Sequence, residues 1–565
     1  MADLLLTPMK TTVANGIDYE SGSAFVIADS NVAPDNIRHY YGVYLQDDWK
    51  TTRKLTLNLG LRWEFFGQPR DRLGEAIFVP GAPWTGPAYI ISGNAKNIPL
   101  ASSFTSLLAK DGIALQYSGV PGLMPTPTHD FAPRVGLAYQ LTRKLVMRAS
   151  YGIFYAGFEN IGGSPDPGTN YPFAVEPTLN DSTNGRATLQ SQNAAAFPSG
   201  TNFASLENAL TLVTPNPTSP AYNPQGSGFQ AFAIPWHTGN TQEWSLFGQY
   251  ALTPSDSIQA GYIGNHSIHL INGWRTNSIS EILPPGTKRT PFRPFPDFGE
   301  NQNFGVPNGD GYYRAFQITY ERRASHGLQM LANFTWAHCM TDIRNFLNDN
   351  TVGGLQRAPY LPGFGLKGDY GLCADDSPRV VRVSLIWELP FGKGRRFAQH
   401  VNGVMNQILG GWNVNAILTL MDGFPNTVGC PVSTTSGFGC VANLTGQSVY
   451  LRQGPHGIDR FLNPAAFSSP PVATTIGQTD YSPLGGHITQ FHGPGFNNLD
   501  FSIFKQFATT ETTRVEFRGE FFNVLNHPNF GNPSNLGDFT NNNFSQITGG
   551  RGNPRQTQLA LKFYW

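Results

Sequence analysis

Hydrophobic and polar residues alternate along residues 55–65. The apolar positions are Leu55, Leu57, Leu59, Leu61, Trp63 and Phe65, and the residues between them are Thr56, Asn58, Gly60, Arg62 and Glu64. A period of two places the two sets on opposite faces of a β-strand. One face of this strand is therefore apolar over its whole length, whereas the other face carries an arginine and a glutamate.

The same alternation recurs along the chain and predicts thirteen strands, most of them about 9–12 residues long. Apolar or aromatic residues stand at every second position in nearly all of these segments. The predicted strands lie at 41–49, 55–65, 135–141, 145–155, 244–252, 258–262, 316–320, 328–336, 381–389, 412–420, 499–503, 515–521 and 559–565.

The connections between the predicted strands alternate between short and long. The short ones are "KTTRK", "LTRK", "TPSDS", "RRASHG" and "ATTET", and the long ones cover 66–132, 157–240, 265–311, 339–377, 422–496 and 524–554. The connection at 390–410 takes a short position in this series, but it is intermediate in length. It carries Val401, Val404, Met405, Ile408 and Leu409 at helical spacing.

Strands of this length, joined alternately by short turns and long loops, indicate a transmembrane β-barrel. The predicted fold class is all-β, an antiparallel up-and-down barrel with short periplasmic turns and long extracellular loops. The leucine face would contact lipid, and Arg62 and Glu64 would point into the lumen. An even strand number suits such a barrel, so "GSAFVIA" at 22–28 is the candidate for a fourteenth strand.

The composition agrees with a surface that carries little charge. Charged residues make up 13% of the 565 residues, against about 25% in typical soluble domains. Lys plus Arg and Asp plus Glu both number 38, so the net charge is zero. A general nucleic-acid-binding surface is not expected from this balance.

From the sequence we expect neither a transmembrane helix nor a secretory signal. No run of 18 or more apolar residues occurs. The first residues, "MADLLLTPMK", have an early aspartate and an apolar stretch that is too short for a signal. We therefore expect that, if the protein is exported, its signal is not in this chain.

Several segments together resemble the barrel of Oar-like TonB-dependent outer-membrane receptors. They include "YYGVYLQDDWKTTRKLTLNLGLRWEFF", "FAPRVGLAY", "WELPFGKGRRF", "GEFFNVLNHPNFGNP" and the closing "TQLALKFYW". The resemblance runs from about residue 35 to residue 565. It divides the chain into a partial N-terminal barrel segment at 1–34 and a receptor-like barrel at 35–565.

The resemblance implies a function and a set of partners. Full members of the family carry a carboxypeptidase-regulatory-like domain and a plug, and related barrels have 22 strands. The chain would then be the C-terminal barrel of a longer receptor that reaches the TonB complex through N-terminal regions absent from it. Its extracellular loops would bind an unknown ligand, with a carbohydrate or a peptide as the expected class. Outer-membrane lipid and the barrel-assembly machinery would be further partners, with Trp565 as the assembly signal.

No catalytic, metal or cofactor site is predicted. His266 and His269 in "HSIH" lack a third ligand nearby, and Asp47 and Asp48 point to opposite faces of a strand. A calcium site in "CADDSPR" and a phosphate loop in "GGRGNPR" are both unsupported by their contexts. We do not expect an enzyme.

The four cysteines are expected to form two disulfides. Each lies at or beyond a strand end on the side of the long loops, and none is part of a C-x-x-C pair. Four cysteines allow three connectivities, and the pairing Cys430–Cys440 with Cys339–Cys373 keeps each bridge within a single loop. Four free thiols in a cytosolic protein are the alternative.

A second functional hypothesis remains open on the sequence alone. A secreted, soluble all-β binding or adhesion module, such as a propeller, would also contain many alternating strands. Fractionation separates the two hypotheses, because a barrel sediments with outer membranes and is released by detergent.

Overall fold

The computed structural model describes much of the chain, including every one of the thirteen predicted strands. The described residues are 9–13, 16–20, 24–25, 36–68, 70–72, 74–80, 86–157, 170–173, 178–181, 187–189, 228–229, 231–277, 279, 281–299, 301–343, 370–431, 441–478, 491–508, 510 and 512–565.

Thirteen long strands form one antiparallel sheet with barrel topology. Each of them covers one of the segments that the alternation predicted, to within one residue. They are β1 (Tyr40–Trp49), β2 (Leu55–Phe66), β3 (Asp130–Gln140), β4 (Leu145–Ala156), β5 (Gly239–Ala251), β6 (Asp256–Thr276), β7 (Asn301–Ser325), β8 (Leu328–Thr341), β9 (Arg379–Glu388), β10 (Trp412–Met421), β11 (Phe496–Ala508), β12 (Arg514–Phe522) and β13 (Gln556–Tyr564).

The registers place the predicted apolar positions of all strands on one face of the sheet. Leu59 of β2 lies opposite Val135 of β3, which in turn lies opposite Tyr151 of β4. In the later strands, Phe501 of β11 lies between Ala416 and Phe521 in the same way. Directly opposite residues in an antiparallel pair share a face. The alternation is therefore in phase across the whole sheet. We call the face that carries these apolar side chains the apolar face of the barrel.

The connections between strands alternate as predicted. The short ones lie at one end of the sheet, which we call the short-turn face, and the long ones lie at the long-loop face. One hairpin differs from the prediction. Strand β6 has 21 residues and β7 has 25, so about half of the loop expected at 265–311 is strand. Its loop covers 277–300, and the two strands extend beyond their neighbours at the long-loop face.

The strand predicted at 22–28 is wrong in the part that the structure describes. Ala24–Phe25 pairs with Thr178–Asp181 in a separate three-stranded sheet and not with β1. In the sequence this apolar run is short and is flanked by polar and small residues, so alternation alone could not assign its partner.

The first and last barrel strands form a seam. Register continues from strand to strand from β1 to β13, and within the described residues no register joins β13 back to β1. All ten residues of β1 are exposed, as are seven of the nine in β13. Because the number of strands is odd, β1 and β13 run in the same direction.

Within the described residues, two α-helices lie outside the sheet, α1 (Ser102–Lys110) in a long loop and α2 (Gly403–Leu409) in the connection between β9 and β10. The second confirms the helical spacing seen in the sequence. Among the described residues, neither helix has the length and apolar character to cross a membrane. The described part of the chain also contains 3₁₀ helices at Gly93–Ala95, Thr290–Phe292, Pro455–Gly457 and Pro464–Ala466.

The remaining strands are short and lie mostly in the connections. They are Met9–Val13, Gly16–Glu20, Ala24–Phe25, Asn36–Ile37, Arg70–Asp71, Ala76–Pro80, Pro87–Ile91, Ala114–Tyr117, Thr178–Asp181, Ala187–Leu189, Ala231–Phe232, Gly371–Leu372, Pro425–Asn426, Asn443–Leu444, Tyr450–Gln453, Arg460–Leu462, Phe467–Ser468 and Phe491–His492.

Candidate functional site at the long-loop face

The loops after β2, β4 and β6 fold together around an aromatic core, which we call the first cap. Phe229 lies 5.0 Å from Tyr89 and 4.9 Å from Phe298 between ring centroids, and Phe104 lies 4.4 Å from Tyr171. Aromatic pairs at such distances add stability beyond the burial of their area. The buried members of this core are Ala76, Phe78, Tyr89, Ile91, Ala95, Ala101, Phe104, Leu108, Ile113, Tyr171, Phe229, Ala233, Phe295, Phe298 and Val306.

Buried polar groups hold the loops of the first cap in place. The side-chain amide of Asn277 donates to the carbonyl of Phe295 at 2.8 Å and accepts from its backbone N–H at 2.9 Å. The Tyr171 hydroxyl accepts from the backbone N–H of Ala101 at 2.8 Å. Burial raises the pKa of Tyr171 to about 12, so this phenol is neutral at physiological pH.

An ion pair ties α1 to the loop after β6. The Lys110 ammonium lies 2.6 Å from an oxygen of Asp297, whose backbone N–H donates to the Asp111 carboxylate at 3.1 Å. Burial is the main cause that raises the pKa of the Asp111 carboxyl. The cluster therefore fixes the relative position of two loops that are remote in sequence.

The loops after β10 and β12 form a second cap with its own core. One link between them is Ser545, whose hydroxyl accepts from the backbone N–H of Leu462 at 2.9 Å and whose carbonyl accepts from the N–H of Phe461 at 3.2 Å. The buried core of the second cap consists of Val428, Ala442, Phe461, Leu462, Ala466, Phe467, Phe491, Phe544 and Ile547.

A cavity of about 440 Å³ opens in the second cap. Several asparagines, glycines and prolines and the ring of Phe530 are among the residues that line it: Ile458, Asn526, His527, Pro528, Asn529, Phe530, Ile547, Thr548, Gly549, Gly550, Gly552, Asn553 and Pro554. An adjoining cavity of about 270 Å³ shares Asn529, Gly552, Asn553 and Pro554 and reaches Asn498 and Asp500. These two belong to the face of β11 opposite to the apolar face, so a continuous groove, which we call the asparagine groove, leads from the second cap to the barrel's inner wall.

The asparagines of this groove have different tasks. The Asn529 amide accepts from the backbone N–H of Asn497 at 2.7 Å and donates to its carbonyl at 3.0 Å, and Asn523 likewise donates to the carbonyl of His527 at 3.0 Å. These two side chains shape the loop. Asn553 is exposed, and its side chain makes no hydrogen bond that the structure describes. Its amide is available to a ligand in the groove.

The inner wall of the barrel carries paired polar groups. Arg62 lies 2.9 Å from an oxygen of Glu64, which also accepts from the Tyr40 hydroxyl at 2.8 Å. The side chain of Asp48 accepts from the Asn58 amide at 2.5 Å. All of these residues lie on the face opposite to the leucines of β2, and the pairing satisfies the charges that the sequence placed there.

The histidines and acidic residues singled out in the sequence are not brought together as a metal site. His266 lies 2.8 Å from Asp310 and stacks on Tyr312, whereas His269 stacks on His237. Asp376 accepts from the backbone N–H of Cys339 at 2.8 Å. Within the part of the chain that the structure describes, no group of three or more metal-ligating side chains occurs.

The cysteines and the C-terminal tryptophan have the following surroundings. Cys339 and Cys373 are joined by a disulfide with a Cα–Cα distance of 5.4 Å. Cys339 lies near the end of β8, and Cys373 lies near the end of the loop that follows. Cys430 is also disulfide-bonded, and Cys440 lies outside the described residues. Trp565 is 89% exposed and stacks on Phe563 at 6.1 Å.

Sequence reasoning did not find the asparagine groove. Most of its residues stand in "FFNVLNHPNFGNP" and "GGRGNPR", of which the first contributed to the family resemblance and the second was considered as a phosphate loop. The density of Asn, Gly and Pro in both segments is the signal that marks them as shaped loops. Their proximity follows from the β12–β13 hairpin, since both belong to its connection.

Comparisons with known proteins identify the family of the chain. The family model described as "Outer membrane beta barrel domain" matches residues 15–558. No curated protein matches the chain. The pyoverdine outer membrane receptor FpvA from Pseudomonas aeruginosa PAO1 is 9% identical with a TM-score of 0.39, and the match covers 94% of this chain and 42% of that one.

Two further solved structures match the chain with similar identity, TM-score and coverage. For the ferric-catecholate import receptor Fiu from Escherichia coli K12 the identity is 10%, the TM-score 0.36 and the coverage 94% and 45%. For the copper transporter OprC the values are 9%, 0.37, 94% and 50%. The chain thus spans half the length of these structures or less. The match to the family model covers nearly the whole chain, and the protein belongs to the outer membrane β-barrel domain family and is located in the outer membrane.

Proposed function

We propose that the chain is the barrel of a receptor or transporter of the TonB-dependent type, and that it binds its ligand at the long-loop face. The observation that carries this proposal is the pair of folded caps. Long loops that build their own buried cores cost conformational entropy, and ordered surfaces of this kind suit a binding function better than a structural one. A location in the outer membrane does not fit the soluble adhesion module.

The lining of the asparagine groove supports the proposal that the ligand is neutral, either a carbohydrate or a peptide. Side-chain amides offer both a donor and an acceptor, which matches sugar hydroxyls and peptide groups. Phe530 adds an apolar surface beside them, and the residues that line the larger cavity carry no Asp, Glu, Lys or Arg. A strongly anionic ligand would find no compensating positive charge in that lining.

Binding tests this proposal directly. The purified protein in lipid nanodiscs is titrated with maltohexaose, a neutral tripeptide and ferric citrate as probes. We expect saturable binding of the saccharide or the peptide, and a loss of about tenfold in affinity for Asn553→Ala if one hydrogen bond of ~1.4 kcal/mol is lost. Asn542→Ala is the matched control, since Asn542 is exposed in the same loop but does not line the cavity. Binding of ferric citrate alone would contradict the neutral ligand class.

The seam supports the proposal that the chain is part of a longer barrel. An open sheet edge in hydrocarbon leaves backbone N–H and C=O groups without partners, at several kcal/mol for each group. Because β1 and β13 run in the same direction, an odd number of further strands is needed between them for closure by antiparallel pairing throughout. Nine would give the 22 strands of the larger transporters. The TonB complex would act through regions added with those strands.

Expression with and without the reading frame directly upstream tests this second proposal. We expect the extended product to resist protease more strongly and to show a larger heat-modifiable fraction on gels than the chain alone. Equal resistance of both products would show that the chain closes by itself.

A further inference from the structure

The connection between β9 and β10 carries an exposed apolar surface at the short-turn face. Helix α2 exposes 72% of Val404 and 57% of Ile408, which are one turn apart on the same side. Phe391 and Phe397 precede the helix, lie 5.4 Å apart between ring centroids and are both about half exposed. We call Phe391, Phe397, Val404, Met405 and Ile408 the apolar corner.

The helix is fixed in place and is not a loose loop. The Asn402 side chain caps its N-terminus by accepting from the backbone N–H of Met405 at 2.8 Å, and the Asn406 side chain accepts from the N–H of Lys393 at 2.6 Å. Gly392 has a φ of 117° and lies against Asn406 and Gly410, where a Cβ would not fit. The exposure of the apolar corner is therefore built into the local structure.

The contacts of the helix show on which side of the barrel it lies. The Trp412 indole N–H donates to the carbonyl of Ile408 at 2.8 Å. The ammonium of Lys505, which is 2% exposed, donates to the carbonyls of Gln407 and Ile408. Trp412 and Lys505 lie opposite each other in register. Both belong to the apolar face, in line with Val414 and Ile503, so α2 packs against the outer wall of the barrel.

Lys505 explains how a cation is accommodated on that wall. Besides the two carbonyls at the helix C-terminus, the ammonium lies 5.4 Å from the ring of Trp412 and 4.9 Å from the ring of Phe507. Carbonyls at a helix C-terminus and aromatic rings both attract a positive charge. The Lys505 side chain thus holds α2 against the short-turn ends of β10 and β11.

From this geometry we infer that the apolar corner is a membrane-interface anchor, which inserts among the acyl chains at the short-turn side while neighbouring cations contact phospholipid phosphates. The corner is continuous with the apolar face, and Lys393 and Arg396 are exposed beside it. Apolar side chains next to basic ones are the pattern of elements that lie in the headgroup region. The inference goes beyond ligand binding, but it rests on the proposed contact of the apolar face with lipid.

Site-directed fluorescence tests the anchor in the full chain. An environment-sensitive NBD label is placed on Val404→Cys, Ile408→Cys, Leu418→Cys and Arg143→Cys in vesicles of phosphatidylethanolamine and phosphatidylglycerol that contain nitroxide lipids. Leu418 lies on the apolar face of β10, and Arg143 lies exposed in the tight turn between β3 and β4. We expect nitroxide quenching at 404, 408 and 418, and weak quenching at 143.

The outcomes separate the anchor from the proposed contact of the apolar face with lipid, on which it rests. Quenching at 418 with water-like emission at 404 and 408 would overturn the anchor alone, and absence of quenching at 418 would overturn both. Emission at 404 and 408 could instead change with protein dilution and not with nitroxide. That result would mean that a second copy of the chain, and not lipid, covers the apolar corner, and it would also overturn the anchor.

A second measurement uses the unmodified chain. Photoactivatable phosphatidylglycerol is cross-linked to the protein in vesicles, and the modified peptides are mapped. We expect cross-links at 391–409 and a yield reduced severalfold in the double variant K393Q/R396Q, with an unchanged yield for phosphatidylethanolamine. Two results would contradict the role of the apolar corner and its cations. One is cross-links confined to the barrel strands, and the other is an equal phosphatidylglycerol yield for the wild type and the double variant.

Discussion

Neighbouring residues of β2 face different surroundings. Leu59 is 40% exposed and lies in the row of apolar residues that passes through Val135 and Tyr151. Asn58, one position away, donates to Asp48 on the inner wall. The amino-acid sequence predicts this division because the side-chain period of a strand is two.

Charge substitutions at these two positions are expected to have unequal effects. Leu59→Arg should destabilise the barrel by ~2–4 kcal/mol if the residue lies near the bilayer midplane. Asn58→Arg should be nearly neutral, because an arginine there meets Asp48. Denaturant unfolding in lipid vesicles measures both, and equal tolerance of the two variants would mean that the phase of the strand is wrong.

The cysteines give a second prediction at the scale of single residues. We expect Cys339–Cys373 and Cys430–Cys440 bridges, because the oxidising periplasm through which the loops pass allows disulfides to persist. The distance of 5.4 Å between the Cα atoms of Cys339 and Cys373 lies within the usual range. Mass mapping of non-reduced peptides is the measurement. Free thiols at all four positions would argue against both bridges and against export.

At the scale of elements, hydrophobic period and connection length predict the barrel strands well. The extension of β6 and β7 was not predicted, because "HSIHLINGW" and "NQNFGVPNGDG" contain residues typical of loops. Each extension depends on its pairing with the other and on the first cap. The caps themselves were not predicted either, since their cores join residues as distant in sequence as Phe104 and Phe229. No local pattern encodes such contacts.

The last strand carries a prediction about assembly. Trp565 is 89% exposed, so little packing within the chain holds it. We propose that it is read as a terminal aromatic signal by the insertion machinery. Deletion of Trp565 should reduce the heat-modifiable, assembled fraction far more than Leu418→Val within β10. Similar reductions in both variants would assign Trp565 an ordinary packing role.

The first cap carries a prediction about pH. The folded-state pKa of Tyr171 is raised to about 12 by burial, above the ordinary value of about 10. The stabilisation from its neutral phenol is therefore complete below about pH 10 and is lost as the pH rises through the folded-state pKa. The difference in phenolate absorbance between the wild type and Tyr171→Phe should show a midpoint near pH 12. A midpoint near pH 10 in the folded protein would mean that Tyr171 is not buried.

At the scale of the whole molecule, the two ends of the barrel are built differently. The long-loop face carries two caps and the asparagine groove, whereas the short-turn face has tight turns and the apolar corner. The band between them is apolar outside and polar inside. We propose that this arrangement separates ligand binding at one end from membrane contact in the middle and anchoring at the other end.

The most direct test of the account is a nitroxide scan along β2 in lipid vesicles. Spin labels at successive positions from 57 to 63 are compared for collision with oxygen, which concentrates in hydrocarbon, and with a water-soluble nickel complex. The account predicts that oxygen access peaks at Leu57, Leu59, Leu61 and Trp63, and that nickel access peaks at the positions between them. A profile without a period of two, or nickel access on both faces, would contradict the barrel assignment.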